Sequence, residues 1–322
     1  MTEEYSSALA GCITGLIAQK RAGGFSYKDE AYMLRRFDAL CISFGLEDES
    51  LPQGLAEKWS EQTPAESINH RNHRVSVLRQ LALYMVSLGL DAYVPRLNSS
   101  WEKPAPYILN GDELVALFRV IDSQTPHYRH PLRFIEAEKV LFRMFYCCGL
   151  RLSEGLYLKR ESVDLEQSLI RIIHSKGDKD RTVYLPDDLA GMCRDYDSFI
   201  QKECPCSEWF FPGKDPCRPF AHSTFPVNFR RYWDQTPFSA SNNRHPTIHS
   251  LRHTFVVDRM NDWMLNGVSL KSMLPYLSRY LGHSSVNDTL YYYHLVDEAF
   301  QTVRQKDRTI DAIIPEVTPY EE

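Results

Sequence analysis

The sequence predicts a mainly α-helical protein of two domains, with one small β-hairpin in the second. Three observations carry that prediction. Apolar residues recur at three- and four-residue spacing along most of the chain. A polar, proline-containing stretch, VPRLNSSWEKPAPY (94–107), interrupts the pattern. One segment, SLIRIIHSKGDKDRTVYLP, instead alternates apolar and polar residues about a turn that contains Gly177.

The elements follow in order. Residues 31–46 place Met33, Leu34, Phe37, Leu40, Cys41 and Phe44 on one helical face, with Gly45 as the stop. A short helix is predicted around 53–60. Residues 75–90 repeat the amphipathic pattern through Leu78, Leu81, Ala82, Met85 and Leu88. Residues 1–95 thus read as a small all-helical domain. Residues 96–107, with Pro104 and Pro106, read as a linker. The second domain, 108–322, opens with the helical segments GDELVALFRVID and EAEKVLFRMFYCCGL. The hairpin follows, then further helices broken by a Pro/Cys-rich loop near 204–219. The terminal stretch 296–314 has the spacing of a tail helix. The fold class is therefore mainly α with a small β-sheet, the second domain being α+β.

The 322 residues carry a net charge of -5, which does not announce a polyanion partner. The local distribution says more. Between Arg218 and His253 there are five arginines against one acid. Arg71, Arg74 and Arg79 lie in a run from His70 to Arg79 that has no acid. Such patches on an acidic chain suit a polyanion, though charge runs are also common on ordinary solvated surfaces. No apolar run is long enough for a membrane span, so no membrane partner is expected. The N-terminal stretch opens with acids rather than a basic segment, which predicts no signal peptide and a cytoplasmic protein. The eight cysteines then read as reduced. The spacing of Cys204, Cys206 and Cys217 is not a standard zinc pattern, and no metal is expected.

Four pieces of the second domain bear on chemistry. In CGLRLSEG (148–155), Gly149 is predicted to end one helix and Ser153 to open the next, with Arg151 held between them. SKGDKDR puts Lys176, Lys179 and Arg181 at the hairpin tip. In IHSLRHTF (248–255), His249 and Arg252 share a helix face and could grip an anion from two sides, while His253 lies one residue further round. Last, YLGHSSVNDTLYYYHL (280–295) brings His283 and three consecutive tyrosines. Each fragment alone is a weak signal.

Together they resemble the tyrosine recombinase, or phage integrase, family over about residues 105–297. The resemblance rests on Arg151 in GLRLSE, Lys176 in SKGDKDR, His249 and Arg252 in HSLRH, His283 in LGH, and a tyrosine nine residues beyond it, which is Tyr292. Ser175 stands where the family's hairpin usually has glycine. The 31 residues from Arg252 to His283 make a longer stretch than in simple members. Pro275 is expected to start an extra turn there, as in transposon-borne members.

The resemblance implies a site-specific recombinase that cleaves and rejoins DNA through a 3′-phosphotyrosine, without cofactor or metal. It implies Tyr292 as nucleophile, with Tyr291 as runner-up. Arg151, Arg252 and His283 would bind the phosphate, and His249 would accept the tyrosine proton. Lys176 would act as general acid and Glu154 as an orienting residue. It also implies a helical DNA-binding N-terminal domain, double-stranded DNA with inverted core half-sites, and a homo-tetramer at synapsis. Arg71, Arg74, Arg79, Lys179 and Arg181 are expected on the DNA. The helical pattern starts almost at residue 5, which predicts no further arm-binding domain. Alternatives are resolution of chromosome or plasmid dimers by the same chemistry, a type IB topoisomerase without recombination, or a DNA-binding regulator without catalysis.

Overall fold

A computed structural model describes residues 4–64, 66–97, 105–128, 130–173, 180–240 and 244–292. The chain divides into two compact units, Met1–Ala105 and Pro106–Glu322. Among the described residues, no helix is long and apolar enough to cross a membrane.

The first unit contains α1 (Ala10–Ala22), α2 (Lys28–Phe44), α3 (Gln53–Ser60) and α4 (Ile68–Ser87). Their apolar faces meet through Ile13 and Leu16, Leu34 and Phe37, Leu55 and Trp59, and Leu78 and Leu81. α2 stops at Gly45 as expected, because that residue adopts a left-handed conformation. α4 begins seven residues before its apolar pattern does. Ser67 caps it by accepting from the His70 backbone N–H at 3.2 Å. Its first turns are polar, and Asn72 and Arg74 are nonetheless buried.

The second unit contains α5 (Gly111–Asp122), α6 (Leu132–Cys147), α7 (Leu152–Leu156), α8 (Asp187–Glu203), α9 (Thr224–Trp233), α10 (Ile248–Leu265), α11 (Leu270–Leu281) and α12 (Asn287–Leu290). α6 runs through the centre and packs on α5, α8 and α10. Leu141, Phe142, Met144 and Phe145 on it are fully buried. Phe142 meets the rings of Phe225, Phe229 and Tyr232. α10, which carries the HSLRH stretch, packs against this dense aromatic core through α6 and α9.

The sheet has three antiparallel strands in the order β1 (Val163–Asp164), β2 (Leu169–Ile172), β3 (Arg181–Tyr184). β2 and β3 are the expected hairpin, with Ile170 opposite Val183 and Ile172 opposite Arg181. Ile170, Ile172 and Val183 face the core. Strand β1 was not legible, since two residues carry no period. The hairpin tip with Lys176 and Lys179, the third tyrosine Tyr293 and the expected tail helix lie outside the described residues.

Pro275 does not open a separate turn, contrary to expectation; it sits inside α11. Its missing N–H leaves the Lys271 carbonyl without its usual helical partner. Both residues lie on the exposed side, where water can serve that carbonyl. Leu270, Leu274, Leu277 and Leu281 keep the opposite stripe packed.

Candidate active site

The site is built where three chain reversals meet: the α6–α7 connection, the start of α10, and the turn after α11. The first depends on Gly149, whose φ is +61°. A Cβ there would stand 2.7 Å from Cδ1 of Phe255, so both conformation and space require glycine. Arg151, rather than Ser153, is the residue that opens α7. The reason is Glu154, whose carboxylate reaches back to accept the Arg151 backbone N–H at 2.8 Å and fixes the helix start two residues before Ser153.

Glu154 also accepts from Arg151 Nη1 at 2.8 Å. Arg181 completes the arrangement, donating from Nη1 at 2.8 Å and Nη2 at 2.7 Å. Burial alone would push this carboxyl up. The hydrogen bonds and charge of Arg181, then of Arg151, outweigh that and hold it at about 2. Glu154 is therefore an anion throughout the physiological range, and it sets the direction of two guanidinium groups.

Arg252 is 2% exposed. Its Nη1 donates to the Gly149 carbonyl, and its Nη2 to the Leu281 carbonyl at 2.8 Å. One side chain thus joins all three reversals. Burial first, then the charge of Arg151, lowers its pKa to about 10, which still leaves it charged at neutral pH. Nη2 also lies 3.1 Å from Nε2 of His283. A guanidinium only donates, so Nε2 accepts and the imidazole proton sits on Nδ1. That proton is given to Thr289 Oγ1 at 2.8 Å. Burial and the charges of Arg252 and Arg151 take His283 down to about 4, so it is neutral.

Gly282, between Leu281 and His283, has φ of +66°. Its carbonyl accepts from Arg151 Nη2 at 2.8 Å. A Cβ there would lie 3.0 Å from Arg181 Nη1 and 3.4 Å from Arg151 Nη1. The glycine of the LGH turn therefore both ends α11 and leaves room for the paired guanidiniums.

Tyr292 closes the site. It is 5% exposed and packs among Phe255, Met260 and Leu281. Its hydroxyl lies 2.6 Å from Nδ1 of His253. Burial raises its pKa, opposed by Arg252 and, less strongly, by Arg151. The sequence assigned the proton-accepting role to His249. Among the described residues, however, it is His253 that hydrogen-bonds the hydroxyl, while His249 stacks edge-on against His253 with ring centroids 4.3 Å apart. His253 lies one helical turn from His249, so the i, i+4 spacing was a signal that could have found it. Burial, then Arg252 and Arg151, lowers the pKa of His249. Tyr291 is partly buried, its ring 5.8 Å from that of Tyr292.

The described cluster holds three guanidiniums, Arg151, Arg181 and Arg252, against one carboxylate, Glu154. The excess positive charge is preorganised, with Arg181 and Arg252 buried and Arg151 partly exposed, which suits a phosphodiester.

The residues expected on DNA divide. Arg181 is corrected: both terminal nitrogens are held by Glu154 and the side chain is 5% exposed, so it builds the pocket instead. Arg74 is corrected likewise. It is buried, paired with Glu66 at 2.8 Å, and donates to the Trp59 and Glu61 carbonyls. Arg71 and Arg79 remain partly exposed, their side chains donating to the Ser60 and Pro95 carbonyls. In the cysteine loop, Cys204 is buried and receives a hydrogen bond from Arg133, whereas Cys206 and Cys217 are exposed. Among the described residues, no three His, Cys, Asp or Glu side chains are grouped to hold a metal ion.

The model of the phage integrase family matches residues 108–299. The chain belongs to the phage integrase family. The tyrosine recombinase XerA of Thermococcus kodakarensis is 27% identical over 243 residues, 74% of this chain and 77% of the relative. The XerD recombinase of Staphylococcus aureus strain Mu50 is 26% identical over 238 residues, 72% of each chain. A shorter match, to an integrase/recombinase-type protein of Sinorhizobium fredii, is 32% identical over 147 residues, 46% of this chain; the chain spans about half (52%) of that relative's length. Two solved structures share the fold. XerH bound to its palindromic difH substrate aligns with a TM-score of 0.63 at 19% identity, covering 86% of this chain and 78% of XerH. The Tn1549 transposon integrase bound to transposon right-end DNA aligns at 0.62 and 14%, covering 92% and 98%.

Proposed function

We propose that this integrase-family chain is a site-specific DNA recombinase whose nucleophile is Tyr292. One observation carries the reading: a buried tyrosine hydroxyl, hydrogen-bonded to His253, feels the charges of Arg252 and of Arg151, the latter held by Glu154. A phosphodiester already carries negative charge, and more builds on its oxygens during attack. Arg151 and Arg252 supply donors for the non-bridging oxygens, with His249 and His283 beside them. Preorganised donors of this kind are typically worth about 3 kcal/mol each in a closed site. Attack forms a 3′-phosphotyrosine and releases a 5′-hydroxyl. The covalent link conserves the bond, so rejoining requires no further energy source. Lys176 is the proposed proton donor to the leaving 5′-oxygen. The charge work is done by arginines and needs no metal.

Residues 1–95 are the proposed DNA-binding domain, with 96–107 as linker and 108–322 as the catalytic domain. Arg71, Arg79 and Lys179 are proposed backbone contacts. The substrate is proposed to be duplex DNA with inverted core half-sites, bound by four copies at synapsis. Integration, excision or transposition of a mobile element is the favoured outcome, in keeping with the likeness to a transposon integrase.

The test uses nicked duplexes from a pool with randomised half-site arms. The wild-type chain should capture some of them as covalent adducts. Tyr292→Phe should still bind the recovered duplex and form no adduct. An adduct of undiminished yield from the Phe variant would remove Tyr292 as nucleophile.

A further inference from the structure

We propose that His253 is the base that takes the Tyr292 proton during attack on the scissile phosphate. The inference deepens the function proposed above and rests on Tyr292 being the nucleophile. Its ground is geometric. Nδ1 of His253 stands 2.6 Å from the tyrosine oxygen, within the reach that proton transfer requires. The imidazole is fixed on three sides: by the backbone of α10, by the edge of His249 at 4.3 Å, and by the Tyr292 ring at 5.4 Å.

The step balances without further reactants. The tyrosine O–H bond breaks as the O–P bond forms, and the proton passes to Nδ1. The electron pair of the P–O5′ bond leaves with the 5′-oxygen, which is protonated by a separate donor. For Nδ1 to accept, the imidazole's own proton must sit on Nε2.

The surroundings explain why the nucleophile stays quiet before DNA arrives. The groups acting on the charge of His253 are His249 and Arg252 on α10 and His283 in the turn after α11. Burial, then those three neighbours, brings its pKa down to about 3. The proton therefore remains on Tyr292 in the free protein. A phosphodiester placed at Arg151 and Arg252 adds a negative charge beside this cluster. That charge favours the imidazolium and raises the basicity of His253. The substrate itself arms the base.

The discriminating variant is His253→Asn. Its amide oxygen can accept the tyrosine hydrogen bond near the place of Nδ1, yet it binds no proton. Single-turnover adduct formation would be followed on the duplex recovered with the wild-type chain, from pH 6 to 9, with binding measured alongside. His253→Asn and His253→Ala should both bind DNA and lose about 10²- to 10⁴-fold in rate at pH 7. Their residual rates should rise about tenfold per pH unit as hydroxide replaces the missing base, while the wild type rises less steeply. An Asn variant with wild-type rate and wild-type pH profile would overturn the proposal, leaving His253 a hydrogen-bond partner only. The Tyr292→Phe control separates this from the parent reading. If the Phe variant keeps its adduct, the nucleophile is misassigned. If only the Phe variant loses it and His253→Asn matches the wild type, the base alone is misassigned.

Discussion

Glu154→Gln offers the sharpest test of how the pocket is held together. The carboxylate accepts four N–H groups from Arg151 and Arg181 and is 5% exposed. Gln keeps the shape and one acceptor oxygen but removes the charge, leaving two guanidiniums facing each other. The size of the effect follows from linkage. A carboxyl whose pKa falls from 4.5 to about 2 on folding contributes ~3 kcal/mol at neutral pH. That lies at the lower end of the ~3–5 kcal/mol seen when one partner of a buried pair is removed. The folded pKa is depressed, so the contribution is complete above the unfolded value of 4.5 and is lost as pH falls toward about 2. The gap between wild type and variant should be flat from pH 8 to 5.5 and narrow to about 1.4 kcal/mol at pH 3. Urea unfolding of the full chain, followed by far-ultraviolet circular dichroism at each pH, measures it. A variant within about 0.5 kcal/mol of wild type at pH 7 would refute the reasoning, because surface ion pairs give that little.

Three further outcomes are expected. Arg74→Ala should destabilise the first unit by ~3–5 kcal/mol in urea unfolding, because it strips the buried Glu66 carboxylate of its guanidinium and leaves two carbonyls without this donor; a variant that unfolds like wild type but binds DNA poorly would return Arg74 to the DNA. Gly282→Ala should lose ~1–2 kcal/mol of stability from its left-handed backbone, measured by thermal unfolding, and should slow adduct formation by crowding Arg181 and Arg151. Tyr291→Phe should form adduct at near wild-type rate, measured on the same nicked duplex.

Much of the fold was legible because its helices carry amphipathic stripes. Leu34, Phe37 and Cys41 announced α2, and Leu78, Leu81 and Met85 announced the second half of α4. The polar first half of α4 was hidden, since its buried face uses Asn72 and Arg74, which no apolar count detects. That blindness also misplaced Arg74 and Arg181. A run of arginines looks like a polyanion surface from sequence, but a guanidinium can be consumed by an internal carboxylate, here Glu66 or Glu154. Pro275 misled for a related reason: proline is a helix breaker locally, while the leucine stripe of α11 outweighs it in the folded unit. At the site, motif spacing pointed to Arg151, Arg252, His283 and Tyr292, and the structure brings them together. His253 went unassigned because its i, i+4 spacing from His249 offers two imidazoles on neighbouring turns, and which one meets the hydroxyl depends on where the chain returns after α12.

The central claim is that one of three consecutive tyrosines carries the DNA. Wild-type chain trapped on the nicked duplex can be digested with nuclease and protease, and the nucleotide-bearing peptide sequenced by mass spectrometry. The account predicts the phosphoryl group on Tyr292. Attachment at Tyr291, at Tyr293, or at a residue outside this segment would contradict it.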